Sequence, residues 1–180
     1  MTTIILLGAP GSGKGTQSQL ISDKFLIPFL TMGDIIRHEI KNETKIGLEM
    51  KSYTNRGELV PDSIISDLFL TRLTKEFCKQ DFILDGVPRT LLQAKQLTER
   101  LNSYNVDYKV FLIDVSLVNI LDRLRKRNRN DDAADVVEKR FRIYQEELSP
   151  ILNFYGSNVI KVDGERDVEV VFKDICSKLN

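Results

Sequence analysis

The apolar run Ile4-Ile5-Leu6-Leu7 breaks directly into Gly8-Ala9-Pro10-Gly11-Ser12-Gly13-Lys14-Gly15-Thr16, and this junction constrains the chain more than any other feature. A G-x-x-x-x-G-K spacing between a predicted strand and a predicted helix is the pattern of a loop that wraps phosphate. The glycines let successive N–H groups face phosphate oxygens, the following helix offers its positive end, and Lys14 adds a mobile charge. The residue after the lysine is Gly15, where most such loops carry the Ser or Thr whose hydroxyl binds Mg²⁺. A metal here is therefore expected to rest on phosphates, water and another carboxylate.

Four further short apolar runs, at residues 28–30, 82–84, 110–113 and 159–162, recur between longer segments of helical period. That alternation predicts an α/β fold, a five-stranded parallel sheet with helices on both faces. Pro61 suits the first position of a helix bearing Ile64, Ile65, Leu68, Phe69, Leu73 and Phe77, and Thr90 and Ser116 are candidate caps for later helices. A long helix through Val137, Phe141, Tyr144 and Leu148 is expected to end or kink near Pro150, and Phe172, Ile175 and Leu179 mark a closing helix. No repeat or linker intervenes, so residues 1–180 read as one domain with two insertions, a helical and polar one at 31–60 and a basic turn at 126–134.

Lys and Arg number 26, as do Asp and Glu, so the chain lacks the basic excess expected of a general nucleic-acid or membrane-surface binder. Cys78 and Cys176 are far apart with only His38 beside them, which supports neither a disulfide framework nor a zinc site. Nothing at the amino terminus reads as an export signal, and no stretch approaches the ~20 apolar residues of a spanning helix. A reducing, cytoplasmic setting is expected.

Asp85 ends the third run and leads into Gly86-Val87-Pro88-Arg89-Thr90. A carboxylate at the carboxyl end of a strand can serve a metal, and it is equally a common turn former. Arg37 lies on the first insertion, and Arg123, Arg125, Lys126, Arg127 and Arg129 crowd the second with no acid among them, followed by Arg140 beside Val137 and Phe141. Such a concentration in a chain of zero net charge needs a counter-charge, and arginine forks suit phosphate. The run from 123 to 129 also reads as a solvated basic face or an RNA contact, but its ending in Arg129-Asn130-Asp131-Asp132 favours a lid that closes on a polyanion.

These residues resemble the adenylate kinase family in its short-lid bacterial form. The blocks are the loop from Gly8 to Thr16, Gly33-Asp34-x-x-Arg37, Gly57-Glu58-Leu59-Val60-Pro61-Asp62, Asp85 to Ala94, Arg123-x-x-x-Arg127, and Arg129-x-Asp131-Asp132 with Arg140. The resemblance implies a P-loop NTPase core, a helical NMP-binding insertion at 31–60 and a minimal lid at 126–134 without the zinc insertion of some relatives. It implies that Lys14, with Gly11, Ser12, Gly13, Gly15 and Thr16, holds the ATP phosphates, and that Arg123 lies against the ATP adenine and reaches the phosphates with Arg127. Arg37 and Arg89 would grip the AMP phosphate, Gln93 would read the adenine edge, and Leu59 and Val60 would line the base, with Thr31, Met32 and Gly86 completing that site. Arg127, Arg129 and Arg140 would close on the transferring group, and Asp85 would orient Mg²⁺ through water, with no direct protein ligand. Two positions depart from the family: Thr31-Met32 stands where Ser-Thr is usual, and Val87 where an aromatic is usual.

The implied activity is reversible transfer of the terminal phosphoryl group of Mg·ATP to AMP, giving two ADP. The catalytic set would be Lys14, Asp85, Arg89, Arg127, Arg129 and Arg140 in a monomer with no nucleic-acid or membrane partner. Two other readings stand beside it. A kinase preferring UMP or CMP turns on Met32 and Gln93, and a nucleotide-sensing binding or assembly module would make turnover incidental.

Overall fold

The computed structural model describes residues 2–74, 77–127 and 133–179. Five parallel strands, β1 (Thr2–Leu7), β2 (Phe29–Thr31), β3 (Phe82–Asp85), β4 (Asp107–Asp114) and β5 (Val159–Asp163), lie in the order β2-β3-β1-β4-β5. All five apolar runs are therefore strands. Alternate side chains explain why they read as unbroken apolar stretches. Ile5, Leu7, Leu84 and Leu112 enter one core, and Ile4, Leu6, Ile83, Phe111 and Ile113 enter another on the opposite face.

Helices α1 (Lys14–Phe25), α6 (Leu117–Arg127) and α8 (Val168–Ser177) contribute Ile21, Ile120, Leu124, Val171 and Ile175 to the second core. Helices α4 (Asp62–Arg72), α5 (Leu91–Ser103) and α7 (Ala134–Tyr155) contribute Phe69, Leu97, Leu101, Ile151 and Tyr155 to the first. β1 is the pivot: it pairs with β3 through Leu6 and Asp85 on one side and with β4 through Leu7 and Leu112 on the other. A crevice forms where connections leave such a strand in opposite directions, at its carboxyl end. The glycine loop starts there.

Packing overrules the expected helix end at Pro150 and gives the polar insertion an apolar side. Helix α7 runs through Pro150 and continues to Tyr155. Proline forfeits one intrahelical hydrogen bond, a cost of about 3 kcal/mol, while burial of a large apolar side chain contributes about 1.5–3 kcal/mol. Ile151 and Tyr155, both buried beyond the proline, outweigh it together. The insertion is also less polar than its composition suggests, because its helices α2 (Met32–Lys41) and α3 (Lys45–Asn55) send Met32, Ile35, Ile36 and Met50 into the first core. They cross so closely that a Cβ on Gly47 would stand 2.1 Å from the Glu39 carbonyl oxygen. Thr44 joins them, accepting from the Gly47 amide at 3.0 Å and donating to the Glu39 carboxylate at 2.8 Å.

Candidate active site

The glycine loop is built against its surroundings. A Cβ on Gly8 would lie 2.6 Å from Ser12 Oγ and 2.8 Å from the Ile113 carbonyl oxygen, so β4 excludes any side chain at this position. Gly13 precedes α1 at φ 97°, in the left-handed region, and the first turn of α1 holds no acid to offset its positive end. Lys14 Nζ donates to the carbonyls of Gly8 and Ala9, both at 2.8 Å, so its ammonium folds over the mouth of the loop. The residue is half-buried but the ammonium is enclosed. Enclosure pushes its pKa down to about 8, Asp85 opposes the shift, and Arg89 and Arg127 add to it.

Asp85 closes the far side. It is buried at the end of β3, and a Cβ on Gly15 would lie 3.5 Å from its Oδ2. The glycine in place of the usual hydroxyl residue thus leaves space between α1 and this carboxylate. Burial raises the Asp85 pKa, Lys14, Arg89 and Arg37 lower it, and Asp34 raises it. Among the described residues no cluster of three or more His, Cys, Asp or Glu is arranged to hold a metal. A lone carboxylate facing a phosphate loop fits a hydrated Mg²⁺ carried by a phosphate ligand, since this ion keeps several waters.

The arginines converge from four elements. Arg89 lies over Gly86, with Nε donating to its carbonyl at 2.8 Å, and Arg37 lies over Gly33 in a pair with Asp34. Desolvation lowers the Arg89 pKa, Asp85 raises it, and Arg140 and Arg37 lower it further. The side chain still reaches solvent at the rim and, like any arginine, stays charged. Arg123 spans the loop, donating to the Ser12 carbonyl at 3.3 Å and the Gly164 carbonyl at 2.7 Å. Arg127 is near enough to Lys14, and Arg140 to Arg89, to shift each of them. Arg129, with Asp131 and Asp132, lies outside the described residues.

The corner after β3 holds a network that sequence reasoning missed. Thr90 caps α5 as expected, accepting from the Gln93 amide at 3.2 Å, but its hydroxyl also donates to Asp62 at 2.8 Å. Gln93 is 1% exposed, with Oε1 accepting from the Arg89 amide at 2.8 Å and Nε2 donating to Asp62 at 2.6 Å. Met32 is likewise 1% exposed, Val60 is buried, and Leu59 is half-buried. Thr31 Oγ1, at the end of β2 in register with Asp85, is buried without a hydrogen-bond partner among the described residues.

The insertion also meets α7. Lys139 Nζ is 2.8 Å from Glu58, Arg56 holds the same carboxylate at 2.8 Å, and Arg140 donates to the Thr54 carbonyl at 3.2 Å. The hydrogen bonds from Arg56 and Lys139 pull the Glu58 pKa down to about 2. No local sequence signal marks this pair, whose members are 81 positions apart.

A phosphate loop on the pivot strand of a parallel sheet, backed by a buried carboxylate and ringed by arginines, defines a P-loop nucleotide-binding protein. The model of the adenylate kinase family matches residues 6–160. The adenylate kinase of Mycolicibacterium vanbaalenii is 41% identical over 170 residues, covering 94% of each chain. That of Bifidobacterium longum is 38% identical over 183, covering 98% of each. That of Clostridium novyi is 36% identical over 210, covering 98% of this chain and 97% of its own. The chain belongs to the adenylate kinase family, and is an enzyme: a nucleotide-binding transferase that uses nucleoside monophosphates.

Proposed function

We propose that the protein transfers the γ-phosphoryl group of Mg·ATP to the phosphate of AMP, reversibly, giving two ADP. The observation that carries this is the enclosure of Lys14 and Asp85 among Arg37, Arg89, Arg127 and Arg140, a cationic chamber suited to two polyphosphates. An AMP phosphate oxygen attacks the γ-phosphorus, that P–O bond forms, and the bond to the ADP leaving oxygen breaks. The acceptor is already anionic, so no side-chain nucleophile is needed; placement and charge neutralisation suffice.

Lys14, Arg123 and the loop amides of residues 11–16 hold the ATP phosphates in this account. Arg37 and Arg89 hold the acceptor phosphate, and Arg127, Arg129 and Arg140 meet the negative charge that spreads over the transferring group. Mg²⁺ bound to the nucleotide would supply further neutralisation, with Asp85 orienting it through water. Residues 31–60 form the monophosphate-binding unit and 126–134 the lid. The base would meet Leu59, Val60 and Gln93, with Thr31 Oγ1 offering an unspent hydroxyl.

Closure of the insertion over AMP would expel water that would otherwise accept the phosphoryl group. Met32 packs in the core beside Gly86 instead of presenting its thioether, which leaves base selection to Gln93 and favours AMP over a pyrimidine. The test is turnover with Mg·ATP and, separately, AMP, UMP, CMP and GMP. Strong ADP formation with AMP supports the reading. Preference for UMP or CMP overturns the acceptor, and no turnover with any acceptor overturns the reaction in favour of a binding module.

A further inference from the structure

We infer that Asp62 is a specificity-determining positioning residue: by clamping Gln93 it fixes which end of the carboxamide is donor and which is acceptor, and so selects a 6-aminopurine over a 6-oxopurine. The inference rests on AMP being the acceptor. It adds a residue that touches neither phosphate nor, in this account, the base.

A glutamine amide is two-faced, and its orientation is set only by what surrounds it. Here both neighbours have a single polarity. The Arg89 main-chain N–H can only donate, so the atom 2.8 Å from it is the amide oxygen. The Asp62 carboxylate can only accept, so the atom 2.6 Å from it is the amide nitrogen. Reversing the amide would set NH₂ against N–H and oxygen against carboxylate, losing both bonds at a site 1% exposed, where water cannot substitute. The other Asp62 oxygen takes the Thr90 hydroxyl at 2.8 Å, and Thr90 is itself fixed as the cap of α5. Asp62 also begins α4 directly after Leu59-Val60-Pro61, so one carboxylate ties the wall expected to line the base to the corner that carries Arg89.

With these bonds made, Gln93 retains one N–H and one oxygen lone pair in a fixed order. Adenine places an amino donor beside a ring-nitrogen acceptor, whereas a 6-oxopurine places an oxygen acceptor beside a ring N–H. An amide free to flip serves both, but one held by Arg89 and Asp62 serves one. A buried polar group left unpaired is what makes such discrimination large.

The experiment compares kcat and KM for AMP and inosine monophosphate, at saturating Mg·ATP, in the wild type, Asp62→Ala and Asp62→Asn, with thermal melts of each. An asparagine can still accept from Gln93, and a reversed amide then loses one bond instead of two. The AMP-to-inosine-monophosphate ratio of kcat/KM is expected to fall about tenfold in Asp62→Ala and about threefold in Asp62→Asn, mainly through KM, with the KM for ATP unchanged. An unchanged ratio, or an equal loss of kcat for both acceptors, overturns the inference. If Asp62→Ala fails to fold, Asp62→Asn decides alone. If the wild type does not use AMP, the parent reading falls and takes the inference with it; a normal wild type with an unchanged variant ratio overturns the inference alone.

Discussion

With its ammonium enclosed by the Gly8 and Ala9 carbonyls and its pKa near 8 instead of 10.5, Lys14 of the free protein is divided between charged and neutral forms at pH 8. A triphosphate beside the ammonium favours the charged form and restores the proton. Nucleotide binding should therefore take up about half a proton at pH 8 and about 0.9 at pH 9. Apparent ATP affinity should fall about fivefold between pH 8 and 9 and approach tenfold per pH unit above that, until the pKa of the complex is reached. Isothermal calorimetry in buffers of different ionisation heat reads the proton directly, and ATP adds no confounding ionisation there because its terminal phosphate is already fully ionised. The stability of the free protein follows with a definite sign. Between pH 8 and 10.5 the unfolded chain binds this proton more tightly than the folded one, so stability contributed by the site rises with pH in that window. Lys14→Met, which removes the enclosed charge, should then melt higher than the parent at pH 7 without nucleotide, yet lose the rise in Tm that Mg·ATP confers. No proton uptake at pH 8–9, with affinity flat across it, would refute the reasoning.

The remaining predictions concern named contacts. Arg89→Lys keeps charge but loses the two-pronged fork and should lower kcat/KM for AMP about tenfold to a hundredfold in steady-state assays, the cost of one or two charged hydrogen bonds. Gly8→Ala should abolish ATP-dependent thermal stabilisation because its Cβ has no space, whereas Gly15→Ser, whose Cβ makes an ordinary 3.5 Å contact with Asp85, should fold and melt at or above the parent temperature. Glu58→Gln loosens the insertion from Lys139 and should raise the KM for AMP about two- to fivefold without lowering kcat, an effect that shrinks in high salt because the pair is partly exposed.

What could be seen in advance depended on how local the cause was. The strands showed as apolar runs because both faces of this sheet are covered, and the phosphate loop showed because its glycines and lysine stand within seven consecutive residues. The Thr90 cap is likewise a contact across three positions. Asp62 meets Gln93 across 31 positions and Glu58 meets Lys139 across 81, and such pairs leave no periodic trace. Pro150 misled in another way: its local preference to stop a helix is real, but Ile151 and Tyr155 beyond it are buried, and tertiary burial prevailed. In the insertion, isoleucines and methionines spaced among lysines and glutamates read as polar until α2 and α3 fold against the sheet core.

The most direct test of the central claim uses a single nucleotide. The protein is given ADP and Mg²⁺ alone and the products are followed by phosphorus NMR. Two acceptor and donor sites facing one another predict that ADP disproportionates into ATP and AMP in equal amounts, with no inorganic phosphate released. Release of inorganic phosphate, or unchanged ADP under conditions where ATP binding is demonstrated, would contradict the account.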